Sequence, residues 1–424
     1  MTALLKLLLP IALCIGAQSA RCELIEAPSP SPSEIPTALK GAGGVGLSVD
    51  TLDRNAVRAF YNDVYLPGEG VGADWSGSTG SCTPGTTSAA YLTATATRIN
   101  FYRAMAGLPG NIQLDPTLNA RCQEAALMMS AENRLSHSPP ATWACFSADG
   151  ALAAARSNLS LGNAGPQSID AYMEDRGAGN RAAGHRRWIL DPGQTIMGSG
   201  SVSGNGARAA NALWVINGGS DSGVSQPASW PSMGFFPKPL IIARWSYSHP
   251  QADFSGATVR MFEDGEEKTL VQNPISNGFG DNTLVWEPQI GLPPPGADVT
   301  YRIEISGMRI SGVVQPVAYD VIAIDITGGG SGEGEGEGEG EGEGEGEGEG
   351  EGEGEGEGEG GGGGEGEGEG EGEGEGEGEG EVTTPVGCLQ SKLADAGIHL
   401  NGLFGDLFLW LLTMLTLYTY PALR

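Results

Sequence analysis

Residues 328–381 constrain what this chain can fold into more than any other segment. They carry 30 of the 70 glycines and 23 of the 53 acidic residues, in a nearly strict alternation of glycine and glutamate. The segment has no apolar side chain to bury and its carboxylates repel one another, so nothing offsets the entropy lost on ordering it. We therefore predict a disordered, hydrated stalk at residues 328–381.

The formal net charge of −30 comes mostly from this repeat. The rest of the chain has 30 acidic and 23 basic residues, without a cluster of lysines or arginines. Nucleic-acid-binding proteins need a basic surface to neutralise phosphates. The composition therefore argues against nucleic acid as a partner.

The first 20 residues have the pattern of a secretory signal peptide. Lys6 precedes an apolar run over residues 7–15, and the small residues Ala17 and Ser19 suit a signal peptidase. The run is too short to cross a hydrocarbon core of about 30 Å. We expect residues 1–20 to direct export, and residues 21–50, which include a segment rich in proline and serine, to form a linker.

The last segment, residues 387–424, contains an apolar run at residues 407–420 after Cys388, and it ends in Arg424. A cysteine, an apolar helix and a basic tip together resemble the C-terminal sorting signals of some Gram-negative surface proteins. A glycolipid-anchor signal and a membrane-spanning tail anchor fit the same pattern. We expect a secreted protein at the cell surface or outer envelope, attached to membrane or envelope by its tail.

Residues 51–219 show helical spacing of apolar residues. A helix is predicted over residues 98–106 and ends at Gly107, and Asp115 with Pro116 predicts the start of the next helix. A third helix is predicted at residues 166–175. Short strands are predicted at residues 196–202 and 212–216.

Residues 225–327 have a period of two, which indicates strands. The predicted strands are residues 240–246, 257–262, 269–272, 283–286, 299–305 and 317–326. Asp264 with Gly265 predicts a hairpin turn between two of them. This number of short strands predicts an all-β sandwich of immunoglobulin-like size.

Two of the four histidines lie in distinctive local sequences, Leu-Ser-His-Ser-Pro-Pro ending at Pro140 and Gly-His-Arg-Arg-Trp beginning at Gly184. Their order after the Arg-Ile-Asn-Phe-Tyr-Arg helix and the Asp-Pro-capped helix resembles the CAP superfamily of cysteine-rich secretory, antigen 5 and pathogenesis-related proteins. The core match covers residues 89–217. The following segment looks like a β-domain found after CAP domains in some bacterial secreted proteins. The resemblance implies an α+β fold, with an α-β-α sandwich followed by the β-sandwich.

The resemblance also implies a cleft lined by two histidines and two acids, in which the histidines can hold a divalent metal, often zinc. His137 and His185 match the histidine positions, and Glu174 matches the acid before the second histidine. The first acid belongs to a Glu-Asn pair, which is Ser157-Asn158 here. The alternative is structural: His137 donates to a backbone carbonyl at a helix end, and His185 packs beside Trp188.

Three functions are open at this point. The first is a binding or interaction module with an unknown extracellular ligand or surface partner and a weak divalent-metal site. The second is a metal-assisted hydrolase that uses His137, His185 and Glu174. The third is a structural spacer in a surface layer. Serine catalysis through Ser136 or Ser157 is disfavoured, because Ser136 adjoins His137 in sequence and no nucleophile elbow is present. On balance we expect a protein that is not an enzyme.

Cysteines and tryptophans give two further predictions. In an oxidising compartment Cys122 and Cys145 are expected to form a disulfide, and Cys82 then pairs with Cys22 or stays free. Trp75 and Trp143 lie in loops rich in glycine, serine and proline, so we expect them to contact a ligand. The tryptophans expected in the core are Trp188, Trp214, Trp245 and Trp286.

Overall fold

The structure, a computed structural model, describes residues 24–28, 46–204, 206–217 and 226–326. All of them belong to one compact unit. The predicted signal peptide, Gly-Glu stalk and C-terminal segment lie outside the described residues. No helix within the described ranges is long and apolar enough to cross a membrane.

Helices and short strands alternate in the first part of the chain, and we number them in chain order. The helices are α1 (Arg54–Phe60), α2 (Ala89–Met105), α3 (Pro116–Glu132), α4 (Ala148–Ala154), α5 (Pro166–Glu174) and α6 (Gly184–Ile189). The strands are β1 (Leu24–Glu26), β2 (Gln113–Leu114), β3 (Ser157–Leu161), β4 (Ile196–Gly204) and β5 (Ala207–Trp214). They form one sheet in the order β1-β3-β5-β4-β2, in which β2 runs parallel to β4 and the other pairs are antiparallel.

Helices pack on both faces of this sheet. Helix α3 lies so close to β4 that a Cβ atom at Gly200 would meet the backbone nitrogen of Gln123 at 2.0 Å. On the opposite face, α5 is held by Tyr172, whose hydroxyl donates to Asn211 Oδ1 on β5 at 2.9 Å. Gly198 and Gly200 of β4 have no side chain, which lets α3 pack this closely on the sheet.

The predicted stop of α2 at Gly107 and the predicted start of α3 are confirmed, but α2 begins at Ala89 and not at the predicted residue 98. Asp115 Oδ1 accepts hydrogen bonds from the backbone nitrogens of Thr117 and Leu118, both at 2.9 Å, and Pro116 is the first residue of α3. Gly107, just after α2, has a φ of +76°, which a residue with a side chain rarely adopts.

Residues 226–326 form strands, and the longest of them agree with the predicted ranges. The strands are β6 (Ala228–Trp230), β7 (Gly234–Pro237), β8 (Trp245–Ser248), β9 (Ala252–Asp253), β10 (Thr258–Glu263), β11 (Glu266–Lys268), β12 (Leu270–Gln272), β13 (Thr283–Pro288), β14 (Val299–Ser306), β15 (Arg309–Ile310), β16 (Val313–Val314) and β17 (Val317–Ile324). They form sheets of five, four and three strands, in the orders β11-β10-β14-β17-β7, β12-β13-β8-β6 and β16-β15-β9. The immunoglobulin-like character of this part stays a prediction.

The local predictions for this part are confirmed except at one strand. Asp264 and Gly265 both have positive φ, as the predicted hairpin turn requires. The strand predicted at residues 240–246 is wrong, because Lys238–Leu240 is a 3-10 turn and β8 begins only at Trp245. Pro239 in that turn has no N–H group to donate to a strand neighbour.

One hydrophobic core continues from α2 and α5 into the strands after residue 226. The ring centroids of Tyr102 and Trp230 are 5.2 Å apart, and Arg186 Nη1 donates to Ser246 Oγ at 2.9 Å. The helical part and the strand-rich part are therefore packed together by apolar and polar contacts.

The predicted disulfide between Cys122 and Cys145 is wrong. Cys145 bonds to Cys82, 63 residues earlier in the chain, and Cys122 is a fully buried free thiol. Cys122 lies on the face of α3 that packs on the sheet, where its sulfur contacts the Gly198 carbonyl at 3.5 Å. It therefore points away from the loop that carries Cys145.

The expectation that Trp75 and Trp143 contact a ligand is also wrong. Both are buried, with 5% and 7% of their surface exposed, and both belong to the core cluster around α3. The Trp75 indole nitrogen donates to the Pro84 carbonyl at 2.7 Å. Trp188, Trp214, Trp245 and Trp286, by contrast, are in the core as predicted.

Candidate functional site

His185, the second residue of α6, is fully buried and oriented by an acid. Its Nδ1 lies 2.7 Å from Asp175 Oδ1, and both side chains have no exposed surface. Asp175 Oδ2 also accepts from the backbone nitrogens of His185 and Arg186. Since the carboxylate only accepts hydrogen bonds, Nδ1 carries the proton, and in the neutral ring Nε2 presents a lone pair.

His137 has the same tautomer for a different reason. Its Nδ1 lies 2.7 Å from the carbonyl oxygen of Ala154, the last residue of α4. Because a carbonyl accepts only, this ring also donates through Nδ1 and leaves a lone pair on Nε2. The contact with a carbonyl at a helix end is the one that the structural alternative predicted.

Burial lowers the pKa of His137 below its ordinary value. The charge of His185 acts in the same direction, while the Ala154 carbonyl and the Glu26 carboxylate oppose the shift. This pKa shift favours the neutral form of His137, and the charges of His137 and His185 are close enough to interact. We refer to His137 and His185 as the histidine pair.

Both Nε2 atoms of the histidine pair are buried and have no hydrogen-bond partner among the described residues. The nearest carboxylate oxygen to His137 Nε2, Glu26 Oε2, is 4.0 Å away, beyond hydrogen-bonding distance. A buried polar atom without a partner is destabilising by about 1–3 kcal/mol. Two such atoms, each with a lone pair and on rings whose charges interact, are candidates to hold a cation or to accept from a hydrogen-bond donor.

Two neighbours fix the position of His185. The ring of Tyr172 stacks on the imidazole, with centroids 5.3 Å apart and planes 4° from parallel. Asn158, on β3, donates from Nδ2 to the His185 carbonyl at 3.1 Å, and its Oδ1 is buried without a partner among the described residues. Asn158 therefore contacts the backbone of His185, and its place in a ligand-binding cleft stays a prediction.

Glu174 lies elsewhere. Its carboxylate bonds to the Arg176 guanidinium at 2.6 Å, and the acid that contacts His185 is the next residue, Asp175. Sequence reasoning missed Asp175 because two adjacent acids precede the histidine and spacing does not choose between them. Asp175 has a left-handed conformation after the last turn of α5, with φ of 54°, and this turns its side chain towards α6.

The two serines considered as nucleophiles are engaged in other contacts. Ser136 Oγ accepts from the backbone nitrogen of Ser138 at 3.0 Å. Ser157 Oγ contacts the Cys122 sulfur at 3.8 Å. Neither contact is with an imidazole nitrogen, so neither serine is activated by a base in this arrangement.

Glu26 is a second residue at this site that sequence reasoning did not identify, since it lies in the segment interpreted as a linker. It belongs to β1, whose three residues pair with β3 and place Glu26 opposite Leu159. Nothing in the local sequence marks this strand, because it is three residues long and isolated from the other elements.

The residues fit a weak metal site better than a catalytic one. The histidine pair supplies two imidazole nitrogens, and Asp175 orients one ring as second-sphere carboxylates do in zinc sites. Among the described residues, no group of three or more His, Cys, Asp or Glu is arranged to hold a metal ion. Hydrolytic zinc sites use three protein ligands, so the donor set does not support the metal-assisted hydrolase.

The scaffold below the site is held by buried arginines from the Arg-Ile-Asn-Phe-Tyr-Arg helix. Arg103 Nη1 donates to the carbonyls of Ile189 and Asp191, both at 2.8 Å, and so fixes the end of α6. Burial lowers the pKa of Arg103 to about 10, and the charge of Asp191 opposes this shift. The helix that carries His185 is therefore anchored at its far end by a charged group.

The comparison with protein families gave a match in the helical part of the chain. Residues 96–217 match the family model named CAP, the cysteine-rich secretory protein family. No curated protein matches the chain significantly. The matched segment begins in α2 and ends just after β5, so it includes both histidines and Asp175. Residues 96–217 are therefore similar to the CAP family.

Proposed function

We propose that this chain is an exported, surface-tethered CAP-domain protein that acts as a binding module, and that the histidine pair holds a divalent cation weakly. One observation carries the proposal: two buried imidazole Nε2 atoms without partners among the described residues. Solvent or a bound ligand would complete the coordination of the ion. The ion's contribution would be to fix a ligand by its charge, and the protein's contribution is to present both rings in one tautomer.

A binding role accounts for the site better than catalysis does. The two serines near the histidines are occupied by other contacts, and Glu174 bonds to Arg176. Asn158, which holds the His185 carbonyl through Nδ2, has a further buried acceptor in its Oδ1 atom, without a partner among the described residues. Fixed, buried polar atoms of this kind favour selective binding of a ligand.

Calorimetric titration of the mature full chain with zinc and with cobalt tests the proposal. His137→Asn and His185→Asn keep a side-chain N–H near the position of Nδ1, which preserves the bonds to Ala154 and Asp175, and they remove Nε2. We expect micromolar binding by the wild type and its loss in either variant. The double variant still contains the Gly-Glu repeat, so its titration measures the background from those glutamates.

His249→Asn is the matched control, because His249 is also buried but lies after β8, where its Nδ1 accepts from Gln251. It should bind zinc like the wild type. Titrations of wild type and double variant that coincide, with both proteins folded, would refute the cation site. The spacer function would be favoured by two results together: the wild type binds no zinc, and cells that carry the double variant keep an unaffected surface layer.

Export and attachment need a separate measurement. Mass spectrometry of the protein recovered from its native cells should find a mature N-terminus near residue 21 and an altered or missing segment after Cys388. An intact residue 1 in the cell-surface fraction would contradict the predicted signal peptide. An unmodified Arg424 there would favour the tail anchor.

A further inference from the structure

Residues 24–28 lie beside the histidine pair as an added edge strand. Leu24, Ile25 and Glu26 pair antiparallel with Leu161, Ser160 and Leu159, so β1 occupies the edge of the sheet that β3 would otherwise form. An exposed strand edge with unpaired N–H and C=O groups is a template for another strand. This segment therefore covers a surface that is suited to backbone pairing.

Two successive residues of the segment, Glu26 and Ala27, lie close to His137 and to the helix of His185 respectively. Glu26 Oε2 lies 4.0 Å from His137 Nε2. Ala27, which points to the opposite side of the strand, contacts α6 next to His185, and a Cβ atom at Gly184 would meet the Ala27 Cβ at 3.0 Å. The segment thus joins the loop of one histidine to the helix of the other.

The contacts of Ala27 and Pro28 are selective. The corner that receives Ala27 is formed by Gly184 with the Phe279 ring close by, and it is apolar, so a larger charged side chain is disfavoured there. Pro28 is buried, and its carbonyl accepts from the Trp188 indole nitrogen at 2.8 Å. An acid, a small residue and a proline in succession therefore match three distinct features of the surface.

We propose that β3 and the histidine pair form a groove for an extended peptide of the Glu-Ala-Pro type, and that residues 24–28 occupy this groove as an intramolecular ligand. The inference deepens the proposed function, because it names the ligand class of the same cleft. A peptide that adds a strand to a sheet edge gains affinity from backbone hydrogen bonds and selectivity from side-chain slots. Displacement of residues 24–28 exposes both the edge of β3 and the histidine pair.

A fluorescent peptide with the sequence of residues 23–30, Glu-Leu-Ile-Glu-Ala-Pro-Ser-Pro, tests the groove by anisotropy. The wild-type full chain should not bind it, because the tethered segment competes at an effective concentration in the millimolar range. The full chain with Ala27→Asp should bind the peptide, because the aspartate does not fit the corner at Gly184. The peptide that carries the same substitution is the matched control and should not bind.

A second variant tests the groove itself. Trp188→Phe in the Ala27→Asp chain removes the indole N–H that bonds to Pro28 and keeps an aromatic ring in the core. We expect peptide affinity to fall about three- to tenfold, the effect of one lost hydrogen bond. Amide exchange over residues 157–161 should rise in the Ala27→Asp chain and fall again when peptide is added.

The results separate this inference from the proposed cation site. A folded Ala27→Asp chain that binds zinc through the histidine pair but binds no peptide overturns the groove and leaves the cation site intact. Peptide binding without zinc binding supports the groove and overturns the cation site. Equal binding of the natural and the aspartate-containing peptides also overturns the groove, because it shows that the corner at Gly184 selects nothing. Peptide-induced dimers, seen by gel filtration, would show strand exchange between copies and contradict a one-to-one groove.

Discussion

Asp175 caps the start of α6 and orients His185 with one carboxylate, whose two oxygens accept from the imidazole Nδ1 and from two backbone nitrogens. Both side chains are fully buried. The same residue thus supports the helix and the functional ring. Loss of the carboxylate affects stability and the site together.

Asp175→Ala should lower the free energy of unfolding by about 3 kcal/mol or more, because it leaves buried donors on His185 and Arg186 without acceptors. Urea denaturation at pH 7 measures the effect. Asp115→Ala is a useful comparison, since it also removes a helix cap, but at an exposed helix start, and should destabilise by about 1 kcal/mol. Equal effects of the two substitutions would show that the buried Asp175–His185 contact adds nothing.

The free energy of unfolding should fall as the pH is lowered, because the buried His137 ring resists protonation in the folded state. Burial holds the folded-state pKa of this ring below the 6.5 of the free side chain. Below about pH 7 the His137 ring therefore binds more protons in the unfolded chain than in the folded chain. The contribution of His137 to stability is fully present above pH 6.5, and it is lost as the pH falls towards the lower pKa of the folded state. His137→Asn should remove this component, so the difference in stability between wild type and variant should change between pH 7 and 5. A constant difference over that range would contradict the burial of the ring.

Asp281 should have the opposite effect on the pH dependence of stability: it should lower the free energy of unfolding as the pH rises. Burial raises its pKa to about 6, the charge of Asp191 adds to the shift, and Arg187 opposes it. The folded state then binds more protons than the unfolded state between about pH 4 and 6, so this group reduces stability as the pH rises through that range. Asp281→Asn should therefore stabilise the chain by about 1 kcal/mol at pH 7, with no effect at pH 3.5.

Asp253→Asn is the control for this experiment. Hydrogen bonds from Ser255 lower the pKa of Asp253, so its removal should destabilise rather than stabilise at pH 7. Thermal unfolding at pH 3.5 and pH 7 compares both variants with the wild type. If Asp281→Asn proves neutral at both pH values, the carboxyl group is solvated in solution.

The disulfide between Cys82 and Cys145 closes a long loop, and its loss should destabilise the chain by about 4 kcal/mol in the chain-entropy treatment. Cys82→Ser measures this by urea denaturation. Cys122→Ala should have a smaller effect of about 1 kcal/mol. Peptide mapping under non-reducing conditions should find the fragment with Cys82 joined to that with Cys145, and Cys122 should react with alkylating reagents only after unfolding.

Interactions between residues close in sequence predicted the helix ends better than they predicted the residues of the candidate site. The Asp115 cap, the stop at Gly107 and the contact of His137 with a helix-end carbonyl depend on neighbouring residues, and each is confirmed. The acid on His185 depends on a left-handed residue after α5, which no spacing rule specifies. Glu26 reaches the site from more than 100 residues away, through strand pairing alone.

The cysteine and tryptophan errors have one cause. The composition around Trp75, rich in glycine and serine, predicts a loop, yet this loop lies on the α3 side of the chain, where Trp75 is buried with Trp143. Once the loop packs there, Cys82 is beside Cys145 and both tryptophans are enclosed. A composition rich in glycine and serine predicts the absence of regular structure, and it does not predict exposure.

Arg244, on the strand-rich side of the shared core, donates hydrogen bonds to the backbone carbonyls of Asp175, Gly177 and Asn180. The segment between the orienting acid and its histidine is thus fastened by a residue that lies beyond the CAP match. An expression fragment cut at residue 217 would leave these three carbonyls without the guanidinium. Transfer of the matched segment alone into another protein would therefore keep both histidines but lose the guanidinium that holds the backbone between Asp175 and His185.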